Sequence, residues 1–552
     1  MKKYILLLFL LIFAVMVFIS RNSKERADLI VYNAKVYTVS SKFDIATAFA
    51  VKDGKFIGVG SDSYILEKYE APKVIDAGRK SIYPGFNDGH SHFLAYGTGL
   101  LRWADLVGTT SFDDVLKVVR KHQRQYPSEW ILGRGWDQND WKDESYPTKA
   151  RLDVLFPDHP VVLTRIDGHA VLANSKALEI AGITAKTKID GGEVVLQKGK
   201  PTGVLIDNAA ERMLSFIPTL SREEKTKALL EAQTNCFAQG LTTVTDAGLD
   251  LDDILLIDSL QKQRLLKIRV YAMMSPTEGN FRHFFPKGPL HTGSLTVSAV
   301  KLYIDGALGS RGALLLKPYS DMPGHYGLRL HPLEYYDTIC KQAFDAGFQV
   351  DTHAIGDSGN RIMLHIYAGF LKGKNDRRWR IEHAQIVDPG DFRYFGDYSI
   401  IPSIQSTHCT SDMYWAGQRL GARRLKSAYA YRQLLVQNGW EVNGTDFPIE
   451  DISPLKTFYA AVARKDLKGW PANGFLPGNA INREEALYSI TLWPAKGSFD
   501  ESQRGSIEAG KVADFVILGD DIMNCSEDEI PHVAVLETYV NGEKVFGMKN
   551  EE

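Results

Sequence analysis

SIYPGFNDGHSHF, residues 81–93, joins a short apolar run to a His-x-His pair. The run at 81–87 has the length and apolar content of a buried β-strand, which places His90 and His92 just after that strand. Side chains at positions i and i+2 of an extended segment face the same side, so these two imidazoles can converge on one ion. The pair alone is a weak signal, and its weight depends on which residues stand at the ends of the other strands.

Seven further stretches have the same character of short apolar strands bounded by polar or turn residues. They cover residues 241–246, 268–273, 298–304, 348–353, 379–383, 399–405 and 440–446. Helical patterns separate several of them, for example at residues 221–240 and 334–347. Strands that alternate with helices in this number predict an α/β fold, a (β/α)8 TIM barrel, over residues 81–97 and 236–499.

The two chain ends and one long interval do not fit this repeat. Residues 28–80 and 500–552 are rich in β-branched residues and turn signals, so we expect one small β-sandwich domain built from both termini. Residues 98–235 separate the first two predicted strands by far more chain than a barrel connection needs. We predict that this interval is an inserted lid domain, which limits water access to the barrel mouth and selects the substrate.

The N-terminal segment, residues 1–27, has a different character. Residues 4–19 read YILLLFLLIFAVMVFI and follow two lysines, which is typical of the apolar part of an export signal. The run is marginally short for a bilayer span, and no small-residue cleavage site follows it. We interpret the segment as an uncleaved signal anchor, with a cleaved signal peptide as the alternative. The protein is therefore expected to be exported. It would be membrane-anchored if the segment is kept, and secreted or periplasmic if the segment is cleaved.

The overall composition is that of an ordinary globular protein. The 552 residues are 44% hydrophobic and 24% charged, which is enough for a large buried core. With 65 basic and 67 acidic residues, the formal net charge of −2 gives no electrostatic reason to expect a nucleic acid partner. The four cysteines are far apart, so neither a cysteine zinc site nor a disulfide framework is expected. The sequence does not reveal the oligomeric state, and a homodimer stays open.

Polar residues at the ends of the predicted strands carry the chemistry. Lys301 lies in the fourth strand, and the fifth, sixth and eighth strands end at His353, His383 and Asp446. Active sites of such barrels lie at the C-terminal ends of the strands, so these side chains should meet those of the His-x-His pair. Imidazole and carboxylate groups are ligands for zinc and similar divalent metals. Burying so many polar groups without a shared role would be costly, so we predict a metal site.

The same segments resemble a known family. PGFNDGHSHF is similar to the opening motif of the amidohydrolase superfamily. The wider pattern resembles its family-3 branch, the YtcJ-like and N-substituted formamide deformylase-like metal-dependent hydrolases. The motifs of this pattern, which spread the resemblance over residues 28–547, are GRGWDQNDW (133–141), RIDGHAVLANSKAL (165–178), VKLYIDGALGSRGALL (300–315), DTHAIGD (351–357), RIEHAQ (380–385), GTDFPIE (444–450) and GSIEAGKVADFVIL (505–518).

The resemblance implies a set of metal ligands and an activity. It assigns His90, His92 and Asp446 to one metal and His353 and His383 to a second. Lys301 would bridge the two ions as a carbamate formed with carbon dioxide. The alternative for Lys301 is a free lysine paired with a carboxylate such as Asp305, beside a mononuclear site. Zinc is the expected metal, as one or two ions, and iron, manganese and nickel stay open because the ligand types do not discriminate sharply among them.

The resemblance also implies hydrolysis of a carbon–nitrogen bond other than a peptide bond, in a small amide or N-substituted formamide. A metal-activated hydroxide would attack the carbonyl. Asp446 would act first as general base and then as general acid toward the leaving nitrogen. Two alternatives stay open: a metal-dependent esterase or lactonase on the same scaffold, and a non-catalytic barrel that only binds a ligand.

Six further residues recur in motifs that resemble the family and are candidates for substrate binding. Trp136, Asp137 and His169 lie in the insertion, Arg311 follows the fourth strand, and His408 and Asp412 follow the seventh. Loops after barrel strands are where substrate contacts belong. Asp137 and Asp412 have an equally good interpretation as capping or turn residues, and the Trp136 side chain could simply wall the cavity.

Overall fold

The structure, a computed structural model, describes residues 24–548. The predicted signal segment therefore lies outside the described residues, apart from its last four positions. Between residues 24 and 548, no helix is both long and apolar enough to cross a membrane.

Eight parallel strands form the barrel and are hydrogen-bonded in chain order. They are β1 (Phe86–Ser91), β2 (Leu241–Leu249), β3 (Arg269–Met274), β4 (Leu295–Tyr303), β5 (Gln349–Ala354), β6 (Arg380–His383), β7 (Ile401–Ile404) and β8 (Val442–Asn443). Just beyond β8, the Asp446 N–H donates to the His90 carbonyl (2.7 Å) and the His92 N–H donates to the Phe447 carbonyl (2.8 Å). These two bonds join the last strand to the first, and the predicted (β/α)8 fold is confirmed.

The first predicted strand is wrong in one respect. The run at 81–87 is divided between two sheets: Ser81–Pro84 pairs with Phe515–Leu518 in a separate sheet, and β1 begins only at Phe86. Gly85 lies at the crossing point, where any side chain would collide with Thr242. A continuous apolar run cannot reveal a change of strand partner. His90 therefore lies in β1 itself and not in the loop after it.

Helices surround the barrel. They are Phe93–Arg102, Arg222–Ala238, Leu251–Lys262, Glu278–Phe284, Leu333–Ala346, Asp357–Leu371, Arg393–Asp397, Ser406–Asp412, Ala416–Leu425, Tyr431–Asn438, Pro454–Ala463, Arg483–Ser489 and Leu492–Gly497, with 3₁₀ turns at Phe285–Lys287, Pro477–Asn479 and Glu527–His532 and a two-residue strand at Leu290–His291. Arg222–Ala238 begins with a capping box formed by Ser221 and Glu224 and buries its apolar residues in the barrel core. The predicted boundary at residue 235 falls inside this helix.

Both chain ends contribute strands to a pair of sheets beside the barrel. One sheet contains Lys55–Gly60, Ala48–Lys52, Leu29–Tyr32 and Lys73–Asp76; the other contains Glu543–Gly547, Val535–Val540, Phe515–Leu518, Ser81–Pro84, Lys35–Tyr37 and Ile45–Ala46. Glu25–Arg26 pairs with Tyr69–Glu70 next to the helix Asp62–Lys68. A shared core that includes Phe49, Phe56 and Phe515 holds the two sheets together.

The insertion, which separates β1 and β2 in the sequence, forms a sheet of its own with four helices. Its six-stranded sheet has the order Trp103–Asp105, Ile131–Trp136, Val161–Arg165, Ala170–Ala173, Lys200–Asp207 and Gly192–Gln197. Its helices are Phe112–Gln125, Ala150–Leu155, Ser175–Ile180 and Asn208–Leu214, with a 3₁₀ turn at Gln138–Asp140. Two separate hydrophobic clusters involve this sheet, so the insertion has cores of its own.

A buried ion pair joins the barrel to the terminal sheets and gives a stability prediction. Arg269, at the start of β3, donates to both carboxylate oxygens of Asp514 (2.6 and 3.0 Å). Asp514→Ala leaves a buried guanidinium without its counter-charge, so we expect it to cost about 3–5 kcal/mol. Chemical denaturation of the variant measures this loss. The matched control is Asp345→Ala, which removes an exposed pair with Lys341 and should cost less than about 0.5 kcal/mol. Equal effects of the two substitutions would contradict the prediction.

Candidate metal centre

The predicted ligands lie together at the C-terminal mouth of the barrel. One donor atom each from His90, His383 and Asp446 lies within 4.8 Å of the other two. The ring of His353 is 4.5 Å from that of His383, centroid to centroid. The Nε2 atom of His92 is 3.3 Å from Oδ1 of Asp446. Residues from β1, β5, β6 and the segment after β8 thus surround one point.

The donor atoms at this point fit a divalent cation. His353 Nε2, His383 Nδ1 and Asp446 Oδ1 are buried and have no hydrogen-bond partner among residues 24–548. Leaving such atoms unpaired is costly, and imidazole nitrogen and carboxylate oxygen are donors that zinc accepts. Burial lowers the pKa of both His353 and His383 well below the usual value, which keeps these imidazoles in the neutral form that binds metals.

Two of these side chains are presented by an unusual backbone. His383 and Asp446 have φ angles of 70° and 62°, in the left-handed region that non-glycine residues rarely occupy. Each such residue costs on the order of 1–3 kcal/mol, and such residues cluster at functional sites. At His383 this conformation ends β6 and allows two consecutive residues, Glu382 and His383, to approach the ring of His90.

Lys301 is buried in β4 with its Nζ atom 3.4 Å from His90 Nε2. Among residues 24–548, no carboxylate oxygen lies within 4.0 Å of Nζ. Asp305 instead accepts the backbone N–H groups of Leu314, Ile355 and Gly356. The alternative of an ion pair between Lys301 and Asp305 is therefore wrong. Burial lowers the pKa of Lys301 to about 8.

Glu382 is a residue of the site that the sequence analysis missed. Its carboxylate pairs with His90 Nδ1 and also accepts from Ser403 Oγ (2.7 Å) and Arg380 Nη2 (3.2 Å). A carboxylate on one ring nitrogen fixes the tautomer and orients the other nitrogen toward a metal. The alternation of side chains in the strand RIEH could have indicated this buried carboxylate, because Arg380 and Glu382 lie on one face of β6 and pair there.

His408 contacts Asp446 directly. Its Nε2 lies 3.2 Å from Asp446 Oδ2 and its Nδ1 lies 2.9 Å from Glu450 Oε1. Burial alone would lower the pKa of His408, but the hydrogen bonds and charges of the two carboxylates raise it well above the usual value. These contacts favour the protonated imidazole, which lies against Oδ2 of Asp446, while Oδ1 has no hydrogen-bond partner among the described residues.

The insertion contributes a second His–Asp pair. His169 Nδ1 lies 2.9 Å from Asp207 Oδ1, and the His169 ring lies 5.0 Å from that of His353. Burial opposes protonation here, yet the hydrogen bond and charge of Asp207 raise the pKa of His169 to about 9. The sequence did not identify Asp207 as a residue of the site. A side chain at Gly306 or Gly312 would collide with its carboxylate, which explains two glycines of the 300–315 motif.

The structure places two predicted substrate contacts, Trp136 and Arg311, away from the cavity. Trp136 is 1% exposed in the core of the insertion, where its indole N–H donates to the Leu163 carbonyl (2.8 Å). Arg311 is turned toward Asp321, with its Nη2 2.9 Å from that carboxylate. Within the described part of the chain, neither residue lines the cavity above the metal ligands. Both side chains have found protein partners elsewhere, which a motif alone cannot reveal.

The other candidates line that cavity, which has a volume of about 760 Å³ and lies between the barrel mouth and the insertion. Asp137 pairs with Arg165 and caps the 3₁₀ turn through the Asn139 N–H (2.9 Å), so it has the structural role that was its alternative. Asp412 Oδ2 accepts from the Tyr429 hydroxyl (2.8 Å), and burial raises the pKa of Asp412 to about 7.

A family model described as "Amidohydrolase family" matches residues 73–546. The chain belongs to the amidohydrolase family. It is 31% identical to the putative amidohydrolase YtcJ of Bacillus subtilis, over 93% of this chain and 98% of that protein. It is 28% identical to an N-substituted formamide deformylase of Arthrobacter pascens, over 94% and 98% of the two chains.

A solved structure of an uncharacterized metal-dependent hydrolase from Pyrococcus horikoshii is similar over almost its whole length. It has a TM-score of 0.74 and 26% identity and covers 90% of this chain and 99% of its own. Together with the family match, this similarity makes the protein an amidohydrolase-type, metal-dependent hydrolase with a His/Asp cluster suited to a metal.

The carboxylate on His90 gives a prediction about metal affinity. Glu382→Gln keeps the shape of the side chain but removes the charge that orients His90. We expect zinc affinity to fall about 10–100-fold, the usual effect of losing such a partner. Competition with a chromophoric chelator measures the affinity, and thermal unfolding confirms that the variant is folded. The control is Glu543→Gln, at an exposed glutamate bonded to Lys267, which should leave affinity unchanged. A folded Glu382→Gln protein with wild-type affinity would contradict the role of Glu382.

Proposed function

We propose that this protein hydrolyses a carbon–nitrogen bond other than a peptide bond, in a small amide or N-substituted formamide. The observation that carries the proposal is a set of buried donor atoms of His353, His383 and Asp446 that have no hydrogen-bond partner among the described residues and lie beneath the cavity. The similarity to a formamide deformylase supports the type of bond.

The same proposal assigns residues to the metal ions. His90, His92 and Asp446 would hold one ion and His353 and His383 a second, with zinc as the expected metal. When bound, such ions supply Lewis-acid chemistry that polarises a carbonyl group and makes water more acidic. If only one ion binds, the three residues whose donor atoms lie within 4.8 Å of one another, His90, His383 and Asp446, are the best candidates.

Lys301 would join the site as a carbamate. Its neutral amine forms a bond to the carbon of carbon dioxide and releases a proton, which yields an anionic oxygen donor. Two features favour this reaction. No carboxylate within the described residues pairs with the amine, and burial lowers the pKa of Lys301 to about 8, so a useful fraction is unprotonated near neutral pH.

Asp446 would move the proton. Burial opposes its ionisation, but His90, His408 and His92 hold the pKa of Asp446 well below the usual range, so the carboxylate is ionised at neutral pH. The carboxylate would accept a proton from the attacking water and return it to the leaving nitrogen. His408 holds Oδ2 and fixes the orientation of the group.

His169 would contribute from the insertion side. Asp207 holds its Nδ1 and keeps the imidazole protonated, so that Nε2 can donate a hydrogen bond into the cavity. A donor aimed at the substrate oxygen stabilises the negative charge that develops there during attack.

A substrate panel tests the proposal. We expect zinc-loaded protein to hydrolyse N-alkylformamides or simple amides with a higher kcat/KM than esters of the same shape, and removal of the metal by a chelator to abolish turnover. Asp446→Asn should lower kcat/KM about 10²–10⁴-fold, the range for a lost general acid–base group, while thermal unfolding stays near that of the wild type. Asp345→Asn, at an exposed helix position, is the control.

Three results would contradict parts of this proposal. Esters preferred by orders of magnitude would contradict carbon–nitrogen hydrolysis and favour an esterase or lactonase. Wild-type turnover in metal-loaded Asp446→Asn would contradict the role of that carboxylate. Failure of the purified protein to bind any divalent metal would favour the non-catalytic alternative.

A further inference from the structure

Arg134 is a cation that the proposed chemistry does not use. It lies in the insertion strand Ile131–Trp136 and lines the cavity above the metal ligands. Its Nη2 donates to the Ile166 carbonyl (3.1 Å), and its guanidinium carbon is 5.8 Å from the centre of the Trp103 ring. Among residues 24–548, no carboxylate oxygen lies within 4.0 Å of the guanidinium, and its buried Nε has no acceptor.

The neighbouring Arg165 shows how the insertion neutralises the charge of a buried arginine with protein partners. Arg165 also lines the cavity, but it pairs with Asp137 and with Asp167 (2.6 Å) and donates to Gln138 (2.8 Å). A buried guanidinium without such partners is costly, and arginine is rarely buried unless it is paired. Arg134 is half-buried and, among the described residues, has one protein acceptor and no carboxylate oxygen within 4.0 Å, so its environment is that of a binding residue.

The local backbone explains why Arg134 faces the cavity and Trp136 does not. The pairing with the strand Val161–Arg165 shifts register between these two residues, and Gly135 between them has φ of 110°. Such a bulge re-aims the side chains on either side of it. Trp136 enters the hydrophobic core of the insertion, and Arg134 is left at the cavity wall.

The carboxylates near Arg134 do not neutralise the charge of its guanidinium group. Asp167 is already bonded to Arg165 and to the His169 N–H, and Asp446 belongs to the metal ligands. Neither carboxylate has an oxygen within 4.0 Å of the guanidinium. Lys301, the other cavity cation without a carboxylate within 4.0 Å among the described residues, has a role in the proposed carbamate. Among the described residues that line the cavity, Arg134 is therefore a cation without an anionic partner.

We infer that Arg134 binds a carboxylate carried by the substrate, so that the substrates are amides or formamides with an anionic group remote from the bond that is cleaved. A guanidinium presents parallel N–H groups that match a carboxylate, and such charge-assisted pairs are among the strong hydrogen bonds. Nη1 has no hydrogen-bond partner within the described residues and is free to donate. The bond that is cleaved rests on the proposed function, whereas the carboxylate subsite is a binding property of Arg134 itself.

Matched ligands test this inference. The probes are ω-formamido carboxylates with chains of two to six carbons and the ω-formamido alcohols of the same lengths, because the series covers different separations between amide and carboxylate. Calorimetric titration of chelator-treated protein measures binding without turnover. We expect at least one carboxylate to bind wild-type protein about tenfold or more tightly than its alcohol, as a charged hydrogen bond implies. In Arg134→Gln this ratio should fall to within about twofold.

Two further variants make the test specific. Arg134→Lys keeps the charge but loses the paired N–H geometry, so its ratio should lie between those of the wild type and Arg134→Gln. Arg120→Gln removes an exposed arginine of the same insertion and should leave the ratio unchanged. The inference is overturned if no carboxylate binds better than its alcohol, or if a folded Arg134→Gln protein keeps the preference.

Hydrolysis of the same compounds by zinc-loaded protein separates this inference from the proposed function. Carboxylates that bind through Arg134 but are not hydrolysed would leave the subsite intact and contradict carbon–nitrogen hydrolysis of this class. Formamides hydrolysed with equal kcat/KM, whether they carry a carboxylate or a hydroxyl, would support the proposed function and contradict the subsite.

Discussion

Closure of the barrel and assembly of the candidate metal centre depend on the same contact. The backbone hydrogen bond from Asp446 to His90 joins the segment after β8 to β1. That contact brings the first and last motifs of the barrel together, although 356 residue numbers separate positions 90 and 446. The Asp446 carboxylate then lies within 3.6 Å of the imidazole nitrogens of His90, His92 and His408. Opening the barrel at this seam would separate these groups.

The insertion completes the site through contacts that fix it on the barrel mouth. Asp207 packs where Gly306 and Gly312 leave room and holds His169 against the ring of His353. The Tyr146 hydroxyl donates to the Ser310 carbonyl (3.2 Å), which adds a second anchor on the same loop after β4. The cavity therefore has a metal-binding floor from the barrel and a wall from the insertion, where Arg134 and His169 are presented. Under the proposed function, most of the chemistry would fall to the barrel and substrate choice to the insertion.

Much of this arrangement was predictable, because strand ends in a parallel barrel meet at one mouth. His90, His353, His383 and Asp446 could be placed there from short apolar runs and the polar residues that end them. Contacts that depend on a change of partner could not be predicted. The run at 81–87 crosses between sheets at Gly85, and the bulge at Gly135 exchanges the surroundings of Arg134 and Trp136. Glu382 and Asp207 were missed because each acts on a histidine that is distant in sequence.

The most direct test of the account is a crystal structure of the protein grown with zinc, with anomalous diffraction data collected on both sides of the zinc absorption edge. We expect an anomalous peak bounded by the donor atoms of His90, His383 and Asp446, and additional density on the Lys301 amine if a second peak lies beside His353. An empty cluster at this position, with zinc bound only elsewhere on the protein, would contradict the claim that these residues form a metal centre.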